Sequence, residues 1–135
     1  MKRTVAAAVF VGLTLAGSSC SGREGLAQRI VGKWDCFARE NGGRRQTTWS
    51  APCRAEYRAN GTWYFTEDNI EETGTYQIFA TEGAIFEEVS ESGVKERVGY
   101  KSRSLVKFVA DQMTITYEPD AQGRAASLTY LRSPR

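Results

Sequence analysis

The 135-residue chain contains no histidine. That removes the usual general base and the commonest metal ligand, and with them the Ser-His and Cys-His nucleophilic schemes. Cysteine is scarce too: Cys20, Cys36 and Cys53 are too few for a structural zinc site. Long apolar runs are missing, since the longest, Val5 to Ala16, is too short to span a bilayer as a helix. Helical periodicity fades within about a turn, and no EF-hand spacing surrounds Glu67, Asp68, Glu71 and Glu72. The neighbouring carboxylates Glu71-Glu72 and Glu87-Glu88 do not suit hydrolase chemistry, because adjacent strand residues point to opposite faces. Each pair is expected on a loop or a solvated face. The chain is thus expected to have no catalytic residue, no metal and no cofactor, and not to be an enzyme.

What is present begins with an address. Lys2 and Arg3 precede the apolar stretch, and Ala16-Gly17-Ser18-Ser19 leads into Cys20, the layout of a secretory signal. It resembles a bacterial lipoprotein signal, whose cysteine is acylated and becomes the mature N-terminus. Gly17 departs from the larger apolar residue usual three places before that cysteine, and ordinary cleavage after Ser18 is the alternative. The lipoprotein resemblance implies a signal peptide over 1–19, a lipidated tether over 20–28 and a domain over 29–135. It implies a cell-envelope protein anchored by lipid, with Ser21 favouring an outer membrane facing the periplasm. A secreted or periplasmic soluble protein is the other possibility. If Cys20 carries lipid, Cys36 and Cys53 remain as one pair, matching the oxidising compartment of an exported protein. Closing that short loop is worth about 3 kcal/mol in the chain-entropy model.

A chain starting at Cys20 would have 116 residues, enough for one domain with one modest core. It would carry 16 basic and 16 acidic residues. Charge is nonetheless segregated: residues 67–98 hold 9 acidic and 2 basic groups, and the flanks are basic. Such a division can steer a partner.

From Arg29 onward the dominant period is two. Trp34, Cys36 and Ala38 alternate with Asp35, Phe37 and Arg39. Residues 53–58 and 62–66 flank Asn60-Gly61, whose expected positive φ angles make a tight hairpin turn. A polar loop is expected around Glu67–Glu72, followed by a strand over 73–79. Residues 84–89 are expected to pair with 94–100 across Ser92-Gly93, and 105–109 with 113–117. Residues 126–132 form the last strand. Eight to ten short strands at regular spacing predict an all-β sandwich or barrel.

Gly32-Lys33-Trp34, Tyr57-Arg58-Ala59-Asn60-Gly61-Thr62-Trp63, Gly74-Thr75-Tyr76, Asp111-Gln112-Met113-Thr114-Ile115 and Leu128-Thr129-Tyr130-Leu131-Arg132 together resemble the lipocalin-like bacterial proteins of the calycin group. The resemblance implies a small antiparallel up-and-down β-barrel of about eight strands. It implies that Trp34 packs at the closed end with Arg132 laid across its ring, a cation–π contact worth about 0.5–2 kcal/mol. It also implies a small apolar or amphipathic ligand, for which Trp63, Phe65, Tyr76 and Phe108 are candidate wall residues. The aromatic residues could equally fill so small a barrel, since eight strands either pack their interior or hold one small ligand. The alternative is then a rigid scaffold, or inhibitor, that binds another exported protein through the loop between Cys36 and Cys53 and the Glu67–Glu72 loop. Arg39, Arg44, Arg45, Arg54 and Arg58, interleaved with Trp49 and Tyr57, form the nearest approach to a recognition patch. In an exported protein no nucleic-acid partner is expected, and outward arginines on a half-exposed hairpin explain the patch. Oligomeric state is not legible.

Overall fold

The computed structural model describes residues 25–119 and 121–134. The signal, Cys20 and the first part of the tether lie outside the described residues. Residues 25–30 are helical, not an extended tether. Leu26 and Ile30, four apart and so on one helix face, pack against the core, and Ile30 is fully buried.

Nine strands follow among the described residues: β1 Gly32–Asn41, β2 Arg44–Gln46, β3 Arg54–Tyr57, β4 Thr62–Glu67, β5 Ile70–Phe79, β6 Ala84–Ser92, β7 Lys101–Val109, β8 Gln112–Tyr117 and β9 Ala126–Arg132. β1 and β3 through β9 pair antiparallel in chain order. β9 returns to β1 in a register running from Trp34↔Arg132 to Asn41↔Ala126. The sheet therefore closes into an eight-stranded barrel, and β2 is a spur on the end of β1. Closure leaves no long strand edge unpaired, which removes a route to edge-to-edge aggregation.

The turns follow local chemistry. At β3–β4, Arg58 and Thr62 pair, Gly61 donates to the Arg58 carbonyl, and Gly61 alone takes a positive φ, 85°. Asn60 instead uses its side chain, accepting from the Thr62 amide and hydroxyl. The expected loop over Glu67–Glu72 is a tight hairpin, with Asp68 and Asn69 at φ 52° and 63° and Glu67, Glu71 and Glu72 within strands. Asp and Asn tolerate this left-handed region better than other residues with a Cβ. The expected strand over 94–100 is a 3-10 turn, Lys95–Arg97, so β6 runs on to Ser92 and pairs with β7.

The lower end of the barrel is sealed. Trp34, Ile85, Val106, Met113, Ile115 and Leu128 are buried there, with Phe108 packed against them and the helix of residues 25–30 beneath. Burying one such large apolar side chain is worth about 1.5–3 kcal/mol. Trp34 Nε1 donates 2.9 Å to the Ile30 carbonyl, tying helix to barrel. The Arg132 guanidinium lies 4.2 Å from the Trp34 ring centroid and donates to the carbonyls of Arg29 and Val31. Gly32 permits that approach: its φ is 140°, and a Cβ there would lie 2.6 Å from Arg132 Nη1. A disulfide joins Cys36 to Cys53, with Cα atoms 5.4 Å apart, and fastens β1 to the entry of β3.

Candidate functional site

The upper end is built differently. A cavity of about 430 Å³ opens there, among aromatic, charged and small residues. Two departures from strict alternation set its lining. In β1 the register shifts between Cys36 and Ala38, so Arg39 lies opposite the buried Leu128 and turns into the barrel. Alternation alone places Arg39 outside. In β6 the register shifts between Val89 and Glu91, so Ser92 rather than Glu91 meets the inward Glu72, while Val89 and Glu87 alternate regularly onto the inner face beside Gly74 and Tyr76. The inward side of Glu87 also follows from its neighbours, since Ile85 two residues earlier is fully buried.

Two ion pairs brace the rim. Arg39 makes a bidentate pair with Glu67, through a very close Nη1–Oε2 contact and an Nη2–Oε1 contact of 2.6 Å. Trp49, from the loop after β2, donates 3.2 Å to the same carboxylate. Arg97, on the 3-10 turn, donates from Nε and Nη2 to Glu72 at 2.9 and 3.1 Å, and Ser92 Oγ adds a bond of 2.7 Å. The bonds from Arg39 hold the Glu67 carboxyl below the usual carboxylate range. Burial pushes Glu72 up, but the bonds from Arg97 and Ser92 outweigh it and leave Glu72 lowered. Tyr100 sits against Arg97, 4.8 Å from guanidinium carbon to ring centroid.

Deeper in, Glu87 has no such guanidinium. Tyr57 Oη donates to it at 3.2 Å. Burial raises its pKa to about 7, despite the Tyr57 bond and the more distant positive charge of Arg97. Tyr117 and Tyr130 are hydrogen-bonded to each other beside it, and burial holds all three phenols well above their ordinary value, neutral at any physiological pH. Trp63 and Phe65 complete the wall from β4. Gly74 makes room for Trp63, because a Cβ there would lie 2.8 Å from its ring.

The candidate wall residues divide. Trp63 and Phe65 line the cavity. Tyr76 lines an adjoining cavity of about 850 Å³ that shares Glu87, Lys101, Ser102, Arg103 and Glu118 with the first. Its hydroxyl donates 2.6 Å to the Arg58 carbonyl, and its ring meets Tyr57 edge-on at 5.2 Å. Phe108 lies elsewhere: it belongs to the sealed end, 5.9 Å from the Trp34 ring and 4.7 Å from the Arg29 guanidinium carbon. The carboxylate pairs also divide. Glu71 and Glu88 are exposed, whereas Glu72 and Glu87 face inward. The arginine patch is dispersed. Arg39 is inside; Arg45, Arg54 and Arg58 form surface pairs with Glu40, Asp35 and Glu56; and Tyr57 is buried. Among the described residues no group of three or more Cys, Asp or Glu side chains is arranged to hold a metal ion.

No protein-family model, curated protein or solved structure matches this chain. The barrel and its disulfide are therefore properties established by the coordinates, and the lining of the cavity is what bears on function.

Proposed function

We propose that this protein is an exported, lipid-anchored, lipocalin-like carrier that holds one small amphipathic molecule in the upper half of its barrel. The observation that carries this is the cavity of about 430 Å³, walled by Trp63, Phe65, Tyr57, Tyr117 and Tyr130 and rimmed by two ion pairs. Its size falls in the range of about 300–1,000 Å³ typical of small-molecule sites, which combine apolar walls with a few fixed polar groups. Burial of the ligand's apolar surface would supply most of the affinity, and the phenols and Glu87 would fix its orientation. The sealed end keeps the molecule from passing through. Anchorage through Cys20 would keep the carrier at the cell envelope.

Native mass spectrometry of the full chain purified from its own host tests this. A retained small molecule, displaced when Trp63→Ala opens the wall, is the expected result. A protein that carries nothing, and whose Trp63 fluorescence ignores every amphipathic compound offered, contradicts it. In that event the second reading takes over, in which an exported protein docks on the loops of the upper end. The feature favouring it is the exposed spur of β2, held in place by the Cys36–Cys53 link and by Trp49 on Glu67.

A further inference from the structure

Among the side chains that point into the barrel, three carboxylates face two guanidinium groups, while Lys101, Arg103 and Glu118 border the cavity from its mouth. Arg39 and Arg97 point inward from the rim, and each guanidinium spends two donors on one carboxylate, Glu67 and Glu72 respectively. Bidentate pairing occupies the fork that would otherwise receive an anionic ligand. Arg103 lies on the outer side of β7, over the Phe86 ring and paired with Glu82 and Glu118. Lys101 is exposed opposite Glu88 and, like Arg103, borders both cavities at their mouth. Glu87 is the inward carboxylate left over. Among the described residues no lysine or arginine forms a salt bridge with it, and the hydrogen bond it accepts comes from the neutral Tyr57 phenol. It lies on the walls of both cavities. Around it stand electron-rich rings, Tyr57, Tyr117, Tyr130 and Trp63, whose faces attract a cation.

From this juxtaposition we propose that the ligand is an organic cation, a protonated amine on an aromatic or short alkyl body, with its ammonium group on Glu87 and its body against the rings. This rests on the carrier reading and names its ligand class. A carboxylic acid would meet Glu87 with both inward guanidinium groups already taken and Lys101 only at the mouth, and a neutral molecule would leave Glu87 with the Tyr57 phenol alone. The proton on Glu87 is the competitor. An amine arriving near neutral pH displaces it, so binding releases a proton and tightens as pH rises through about 7. The other groups facing Glu87 do not share that dependence. Tyr57 on β3, Tyr76 on β5, Tyr117 on β8 and Tyr130 on β9 have raised pKa values, while Glu72 and Arg97 stay ionised as a pair. Ser102, opposite Glu87 on β7, does not titrate, and the charged groups on that side are Lys101, Arg103 and Glu118 at the shared mouth.

The test is calorimetric titration of the full chain with three probes of one shape: phenethylammonium, phenethyl alcohol and 3-phenylpropionate. The amine is expected to bind at least about tenfold more tightly than the other two at pH 8. Its affinity should fall by about tenfold from pH 8 to pH 6, and proton release should be visible as a dependence on buffer ionisation heat. Glu87→Gln, which keeps the acceptor for Tyr57, should abolish both the preference for the amine and its dependence on pH. Equal binding of all three probes, or a preference for the carboxylate, overturns the amine assignment and leaves the carrier reading standing. Failure of every probe to bind, with Trp63 fluorescence unmoved, overturns both. Should Glu87→Gln fail to fold, the ranking and pH response of the unaltered protein decide alone.

Discussion

The two ends of this barrel are made from the same eight strands and behave as different materials. At the lower end the inward positions are apolar apart from the buried Ser104 beside Ile85, the helix of residues 25–30 closes the floor, and the polar atoms of Trp34 and Arg132 reach backbone carbonyls. At the upper end the inward positions carry three carboxylates, two guanidinium groups and three phenols around open space. The contrast teaches that strand pairing alone fixes the cylinder, while the choice of inward side chain decides whether a stretch of it is plug or cup. Filling is cheap where Leu128, Ile115 and Met113 alternate correctly. The cup exists because bulky aromatic residues there are held at the wall by hydrogen bonds, as Trp63 is by the Thr75 carbonyl at 3.0 Å and Tyr57 by Glu87.

Substitution should separate the ends. Trp34→Ala removes the most buried aromatic residue of the plug and is expected to cost about 3–5 kcal/mol in chemical denaturation. Trp63→Ala should cost less, because its ring already borders open space, and should lower ligand affinity instead. Equal losses at both sites would erase the distinction. Next in size, replacing Cys36 and Cys53 together by alanine should cost about 3 kcal/mol, the value for a loop of this length, with β1–β9 pairing retained by circular dichroism.

The pH response sharpens the comparison. The folded pKa of Glu87, about 7, lies above the ordinary glutamate value of 4.5. Folding therefore takes up a proton between those values. The stability this gives is complete below about 4.5 and is lost as pH rises through 7, by about 3 kcal/mol. Glu67 and Glu72 act oppositely. Their folded values are lowered, so their contribution is present above 4.5 and is lost as pH falls through the folded values. Denaturation midpoints of the unliganded protein should thus decline on both sides of an optimum near pH 5, and Glu87→Gln should flatten the alkaline limb alone. Arg132→Met, at the sealed end, should lose about 1–2 kcal/mol with no such pH signature, since it removes a cation–π contact and two bonds to carbonyls. Smallest of all, Arg45→Ala breaks only an exposed pair with Glu40 and should change stability by less than about 0.5 kcal/mol.

Much of the plug was legible in the sequence and little of the cup. Gly32-Lys33-Trp34, the hairpin around Gly61, the 105–109 and 113–117 pair, and the last strand at 126–132 follow from alternation and turn chemistry, and the barrel contains all of them. Arg39 could not be placed the same way. The shift at Cys36/Ala38 reverses parity within β1, and a bulge is defined by the partner strand, which a single pass along the chain does not supply. Alternation did separate Glu87 from Glu88 onto opposite faces, and the apolar Ile85 and Val89 on either side of Glu87 mark its face as the inner one, a signal hidden by treating the two acids as a solvated pair. Residues 94–100 misled for another reason. Val94, Glu96, Val98 and Tyr100 alternate like a strand, yet the Arg97–Glu72 pair bends them into a 3-10 turn over the rim. Asp68-Asn69 carried a readable turn signal that was masked by the acidic residues around it.

The division into plug and cup is most directly tested at one atom group. Carbon-13 NMR of the glutamate side-chain carboxyls, followed across pH in the unliganded protein, reports each titration separately. A Glu87 midpoint near 7, above the ordinary carboxylate range, is what a lone acid inside an aromatic cup requires. A Glu87 midpoint among the ordinary surface carboxylates would contradict the account.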